Sequence, residues 1–377
     1  MKEYKFSDLI EEVQDRNTSL EFGLDDIVGV TIEKRLIPTI ANLTQTALDK
    51  FYLVKQNTFV YNPRTHGVQL GMGFNETERT YITSWNNIAF RVKESAEKIV
   101  LSKFLWIYFN RSEWDRQTNF FAWGSSTIVF AWNDFLNIKI KLPDIKEQQK
   151  IVDTYNAITN RIQIKQKINE NLEKTAQCLF EELTKDKENF ETKTIEEISD
   201  AVICGKTPST TESKYWGNEI PFITIPDMHG SNFIHTTERY LSIAGKQSQE
   251  KQTLPKNSIC VSCIATVGLV SLTTTESQTN QQINSIICKE GISFYYVFML
   301  LKQMTDELKR LGAGGSTTLN VSKSLFASIK LQLPNEENMN FFDKKVSSLF
   351  SKILINEKEI EKLEALKMTV VSQISKR

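Results

Sequence analysis

The hydrophobic pattern of this chain changes period in the same order twice. At Ile138-Lys-Ile-Lys-Leu142 apolar and polar residues alternate, as in a half-buried strand, and Pro143 closes the run. The period then lengthens to that of a helix. Asp144 stands where an N-cap is needed, with Glu147 three residues on in a capping-box arrangement. A heptad frame puts Tyr155, Ile162, Asn169, Ala176 and Leu183 at a, and Ile151, Ile158, Lys165, Leu172 and Leu179 at d. The pattern returns at Ile329-Lys-Leu-Gln-Leu333, followed by Pro334 and the cap residue Asn335. The second frame has Val346, Ile353, Ile360, Lys367 and Ile374 at a, and Phe342, Leu349, Asn356, Leu363 and Val370 at d, each 191 residues after its counterpart. Four or more heptads of this quality predict a coiled coil.

The repetition reaches back through the strand. Gly124–Pro143 and Gly315–Pro334 align without a gap at the same offset of 191, with eight of twenty positions identical. Upstream, each half opens with a short apolar turn predicted as helix, Phe6-Ser-Asp-Leu9 and Ile195-Glu-Glu-Ile198. Each holds a strand after a polar turn, Lys55-Gln-Asn-Thr-Phe-Val-Tyr61 and Lys256-Asn-Ser-Ile-Cys-Val261. Each holds another after paired amides, Asn86-Asn-Ile-Ala-Phe-Arg-Val92 and Gln281-Gln-Ile-Asn-Ser-Ile-Ile287. Apart from these anchors the globular parts have diverged while the helices stay alike. The layout is variable domain, helix, variable domain, helix. A tandem duplication with no function attached is the plain alternative to a two-headed reader.

Composition narrows the classes. With 377 residues, 40% hydrophobic and 24% charged, the chain supports two or three cored domains. No apolar run approaches a membrane span and Met1 to Ile10 has no signal-peptide core, which predicts a cytoplasmic protein. Lys+Arg 46 balance Asp+Glu 46, so any nucleic-acid contact must come from local basic patches. Five scattered cysteines do not make a disulfide framework. Cys260 and Cys263 lie on an apolar strand where residues three apart face opposite ways, so they read as structural thiols. No metal site or catalytic residue is proposed. Tyr61-Asn-Pro-Arg64 lacks the second proline and the aromatic of an adenine-methyltransferase loop, and Gly71-Met-Gly73 is an isolated fragment. No P-loop is present, and His66, His229 and His235 lack nearby carboxylate spacing.

Leu142-Pro-Asp-Ile-Lys-Glu-Gln-Gln-Lys-Ile-Val152 followed by a long helix resembles the conserved regions of type I restriction-modification specificity subunits. Gly205-Lys-Thr-Pro-Ser-Thr210, Tyr215-Trp-Gly217 and Ile220-Pro-Phe-Ile-Thr-Ile-Pro-Asp-Met228 resemble the start of a target-recognition domain of that family. So does Leu254–Gly268 together with Thr279-Asn-Gln-Gln-Ile283. The likeness runs through essentially the whole chain. Asn335-Glu-Glu-Asn-Met-Asn340 departs from it, lacking the Glu-Gln-Gln of the first helix start.

The resemblance implies an α+β architecture with a pseudo-two-fold internal repeat. Target-recognition domains would occupy 1–143 and 187–334, and long antiparallel coiled-coil helices 144–186 and 335–377. Each domain would read half of a split target in double-stranded DNA. Two methyltransferase subunits would dock on the scaffold, and restriction and translocase subunits would join them. S-adenosylmethionine and ATP with Mg would belong to those partners, with no cofactor in this chain.

Candidate DNA contacts in the first domain are Arg64, Thr65, His66, Arg111, Arg116 and the turn Gly124, Ser125, Ser126, Thr127 after Trp123. In the second they are Lys206, Thr207, Lys214, Arg239 and the turn Gly314, Gly315, Ser316, Thr317. Trp123, Trp132 and Trp216 read as core or interface anchors. The helix seam is predicted at Ile151, Tyr155, Ile158, Ile162, Leu172, Leu179, Phe342, Val346, Leu349, Ile353, Ile360 and Leu363. Residues Ile151 to Leu183 would span about 50 Å. Lys165, Asn169 and Asn356 either fix the alignment of the pair or lie on an exposed stretch. A coiled-coil scaffold that never touches DNA is the rival function.

Overall fold

A computed structural model describes residues 1–39, 46–65, 69–122, 128–185, 190–313 and 319–376. The chain divides into two compact units, 1–161 with 363–377, and 162–362. The division falls inside both long helices, because each helix contributes one end to each unit's core.

In the first unit, Lys2–Lys5 pairs antiparallel with Lys139–Leu142, Lys2 opposite Leu142. The core sheet has the order Ile10–Glu12, Ile88–Val92, Phe59–Tyr61, Met72–Phe74. The two strands expected from the polar turn and the paired amides thus lie side by side, with Phe90 opposite Phe59. Asn57 in the polar turn takes a positive φ of 62°, a conformation that asparagine tolerates better than most residues. Helices Ser102–Phe109, Ser112–Phe121 and Trp132–Asn137 cover the sheet. Their shared core is aromatic: Phe59 stacks on Phe74 and Phe90 at 4.5 and 4.9 Å between ring centroids, and Phe6, Phe109, Trp114 and Phe135 close around them.

The second unit repeats this frame. Glu191–Thr194 pairs with Lys330–Leu333, Glu191 opposite Leu333, in the register of the first unit. The sheet order is Ser199–Cys204, Ile283–Cys288, Ile259–Ser262, Val270–Thr273, with Phe233–Ile234 added in parallel at the edge. Asn257 has φ 68°, matching Asn57. Helices Phe294–Gln303, Thr305–Gly312 and Lys323–Ala327 follow in the same order. The core here is largely aliphatic, with Ile259, Leu272 and Ile286 at the cross-strand positions that phenylalanines hold in the first unit. Residues 195–198, expected as a helix, form a turn. Ile195 N–H nevertheless reaches Ile329 O at 3.0 Å, as Phe6 N–H reaches Ile138 O at 3.0 Å. A second sheet, ordered Arg239–Leu241, Trp216–Ile223, Gln278–Thr279, is attached to this unit.

The long helices run Ile145–Leu183 and Glu336–Lys376. Asp144 Oδ1 accepts from Glu147 N at 2.9 Å and Asn335 Oδ1 from Asn338 N at 2.9 Å, so both caps sit where the sequence predicts. In the first unit Val152 and Tyr155 share a core with Val371 and Ile374. In the second, Phe180 meets Phe342 while Lys165 meets Asn356. Both sets describe antiparallel packing. Among the described residues, no helix is long and apolar enough to cross a membrane.

Candidate nucleic-acid interface

The helix seam is mostly apolar. Tyr155, Ile158, Ile162, Phe342, Val346 and Ile353 are buried, and Ile151, Leu172, Leu179, Leu349, Ile360 and Leu363 are half-buried. The a/d frame alone misses Val152, Phe180, Phe350 and Val371, buried at the next position around the helix, e. These side chains seat the helices on the recognition cores, so the apolar stripe is wider than a two-stranded seam requires. Their apolar character was visible in the sequence, but their target was not.

Lys165, Asn169 and Asn356 are not on an exposed stretch. Asn356 is 0% exposed; its Oδ1 accepts from Lys165 Nζ at 3.0 Å and its Nδ2 donates to Asn169 Oδ1 at 2.7 Å. Lys165 also pairs with Glu359 at 2.8 Å. Lys165 and Asn356 are repeat counterparts, so the helices cross where a residue meets its own copy. Sliding either helix would strand buried polar groups, at a cost of about 1–3 kcal/mol each.

In the second unit Arg239 lies on the attached three-stranded sheet, Lys206 and Thr207 lie in a loop hydrogen-bonded to its strand Gln278–Thr279, and Lys214 lies in the turn just before Trp216. Arg239 is exposed with its guanidinium 3.5 Å from the centre of the Trp216 ring, a cation–π stack that fixes its plane. Trp216 Nε1 donates to Ser209 O at 3.2 Å. Lys206 is exposed and its backbone N–H holds Thr279 O at 2.9 Å, while Thr207 Oγ1 donates to Gln281 Oε1 at 2.7 Å. Gly205 before them admits no side chain, because a Cβ would lie 2.2 Å from both Asn280 O and Thr279 Oγ1. Lys214 is exposed and 3.4 Å from Glu212.

The first unit gathers its candidates less well. Arg64 is exposed on a two-residue strand paired with Ile128–Val129, but Thr65 beside it is buried. Arg111, expected at the surface, is buried: its guanidinium lies 3.5 Å from the Tyr108 ring centre and its Nε donates to Tyr108 O at 2.9 Å. Burial lowers its affinity for the proton and it has no open face for a base. Arg116 is exposed, 3.3 Å from Glu113. Trp132 packs against the core, and His66, Trp123, Gly124, Ser125, Ser126, Thr127, Gly314, Gly315, Ser316 and Thr317 lie outside the described residues.

The family model for the type I restriction modification DNA specificity domain matches twice, at residues 23–174 and 187–365. The chain belongs to this family. It is a DNA specificity protein with two recognition domains. Among its relatives, the type I restriction enzyme HindI specificity subunit of Haemophilus influenzae is 32% identical over 356 residues, 74% of this chain and 77% of that protein. The MjaIX specificity subunit of Methanocaldococcus jannaschii is 30% identical over 175 residues, 45% of this chain and 40% of that protein. The crystal structure of a type I restriction-modification S subunit from M. genitalium has the same fold: TM-score 0.64, 15% identity, 99% of this chain and 95% of that one covered.

Two features of this specificity protein were not read from its sequence. Gln148, in the motif that carries the family likeness, is fully buried: its Oε1 accepts from Leu101 N at 3.0 Å and its Nε2 donates to Ile99 O at 2.8 Å and Pro143 O at 3.0 Å. The motif glutamine therefore clamps helix start to recognition domain. Its counterpart Met339 offers only sulfur, and Ser293 N donates to Sδ at 3.0 Å. The second feature is a carboxylate cluster under the second domain. Glu357 accepts from Asn232 N at 3.3 Å and Ser231 Oγ at 3.1 Å, and Glu173 accepts from Asn232 Nδ2 at 2.9 Å. Burial, with Glu173 nearby, pushes the Glu357 carboxyl up to about 7.

Proposed function

We propose that each recognition domain binds one half of a split, asymmetric sequence in double-stranded DNA, and that the long helices set the number of unread base pairs between the halves. One observation carries this reading: two domains share a strand order and the register of the strand pair that leads into each long helix, while their outer parts differ. Such a frame suits two readers of unlike sequence. The buried Lys165–Asn356–Asn169 contacts favour a single alignment of the helices, which a measuring device needs and a flexible linker lacks. The stacked Arg239, with Lys206 on the loop held to the same sheet, supplies guanidinium and ammonium donors, groups that recognise base edges and phosphates.

In this reading the chain works in the cytoplasm and contributes no catalytic group. Two methyltransferase subunits dock on it, restriction and translocase subunits join them, and S-adenosylmethionine, ATP and Mg belong to those partners. The test is modified-base sequencing of cells carrying the chain with its native partners. The expected result is adenine methylation confined to one bipartite, asymmetric sequence with a constant spacer. Methylation without sequence preference, or none, would favour a scaffold that does not read DNA.

A further inference from the structure

In the first recognition domain, the helix Ser112–Phe121 ends in two aromatic side chains that the core does not take. Phe120 is 83% exposed and Phe121 38%, in a unit that buries most of its other phenylalanines completely. Their rings brace each other edge to face at 5.3 Å between centroids. The fold does not require this exposure. At the repeat-related end of Thr305–Gly312 stand Leu311, packed against the core, and Gly312, where a Cβ would already meet Val321 at 3.2 Å. The second domain closes the position; the first keeps two large apolar groups in water, against the hydrophobic driving force.

The surroundings favour nucleic acid as the occupant. Arg116 is exposed one helical turn before Phe120 and so lies on the same face, where a phosphate would compete with its exposed ion pair to Glu113 at 3.3 Å. Arg64 is exposed on a two-stranded ribbon that leads into Phe130, whose ring meets Trp114 of this helix at 6.3 Å, and the other strand carries Ile128, itself 36% exposed. The helix ends here, and the partial negative charge of its last carbonyls gives a phosphate nothing to bind. An apolar pair at that end, with cations set back from it, suits the flat faces of bases and places phosphates near the arginines.

We propose that Phe120 and Phe121 form a wedge that enters one base step of the half-site bound by the first domain. Partial unstacking by apolar side chains is an established way for proteins to bend duplex DNA. The idea rests on the DNA-reading function above and adds an asymmetric device to it, since the repeat-related positions of the second domain hold Leu311 and Gly312 in place of the two phenylalanines.

The test uses the full chain with its methyltransferase partner and a target duplex carrying 2-aminopurine at successive positions of the first half-site. The wild type should give enhanced fluorescence at one step. F120A/F121A should abolish the enhancement and weaken binding about tenfold or more, with the salt dependence of binding unchanged because no phosphate contact is lost. F120L, which keeps apolar bulk, should retain part of both. Normal fluorescence enhancement and affinity in F120A/F121A would overturn the wedge while sequence-specific methylation still supports the reader. Loss of the methyltransferase from the purified complex, with DNA distortion intact, would overturn it in favour of a protein contact. Absence of any specific binding by the wild type would instead overturn the reading function.

Discussion

The two recognition domains solve one structural problem with different chemistry. Both must fix the start of a long helix against a helix of their own core. The first uses Gln148, which satisfies Leu101 N–H and the carbonyls of Ile99 and Pro143 with one buried amide. The second uses Met339, which fills the space and lends its sulfur to Ser293 N–H; Ser293 also donates to Asp343 on the helix. The feet differ in their polar contacts as well. The first domain and the helix end beneath it place the ammonium groups of Lys103 and Lys367 at 5.6 and 5.0 Å from the Tyr155 ring centre. The second rests the loop around Ser231 and Asn232 on Glu357 and Glu173. Duplicated architecture preserves where a contact is made far more faithfully than the groups that make it.

The largest expected effect is at Gln148. Gln148→Ala leaves three half-buried backbone groups without their amide partner and opens a cavity, and should cost about 3 kcal/mol, each backbone group costing about 1 kcal/mol, the low end for unpaired groups. Met339→Ala should cost less, about 2–3 kcal/mol, from a cavity and a weak acceptor. Urea unfolding followed by tryptophan fluorescence reports chiefly on the first domain, which holds Trp85, Trp106, Trp114, Trp123 and Trp132. Hydrogen exchange at Phe294–Gln303 reports on the second. Equal losses for the two variants would break the comparison.

The next effect concerns the carboxylate foot. Because the folded state holds the Glu357 proton up to about pH 7, it binds more protons than the unfolded chain between the ordinary carboxylate range and that value. Stability of the second domain should therefore fall as pH rises through this window. Glu357→Gln should remove the fall and raise stability at pH 8 by on the order of 2 kcal/mol, measured by thermal unfolding at several pH values. A pH dependence unchanged in the variant would place the titration elsewhere.

The smallest energetic effect belongs to the helix crossing. Replacing Lys165, Asn169 and Asn356 by leucine, with Glu359→Gln to remove the charge that Lys165 pairs, should change total stability by about 1 kcal/mol or less, in either direction, because apolar replacements of whole buried polar sets are often neutral. Its consequence would be a second spacer length in the mapped methylation sequence. A single unchanged spacer would mean that the caps and the e-position residues set the alignment unaided.

The repeat, the helices and their caps were legible because each rests on local chemistry: alternation at 138–142 and 329–333, a side-chain cap, a heptad. Ile88–Val92 and Ile283–Cys288 were legible as strands for the same reason. The equivalence of Phe59, Phe74 and Phe90 to Ile259, Leu272 and Ile286 was not, because cross-strand partners conserve volume and position without conserving type. Arg111 shows the limit for the surface. Its sequence neighbours suggest an exposed loop, and only the packing against Tyr108 reveals that it is spent on the core. Arg239 shows the converse, for the Trp216 beneath it lies on a neighbouring strand 23 positions earlier in the chain.

The unlike pair at the crossing also bears on which chains can associate. If two copies of the first long helix joined, Lys165 would face Lys165 with Ile168 nearby, where the mixed pair has Glu359. Two copies of the second would bring Glu359 near Glu359 around facing asparagines, with no ammonium between them. Pairing like helices thus sets equal charges together, so the crossing favours a first helix against a second over either helix against its own copy.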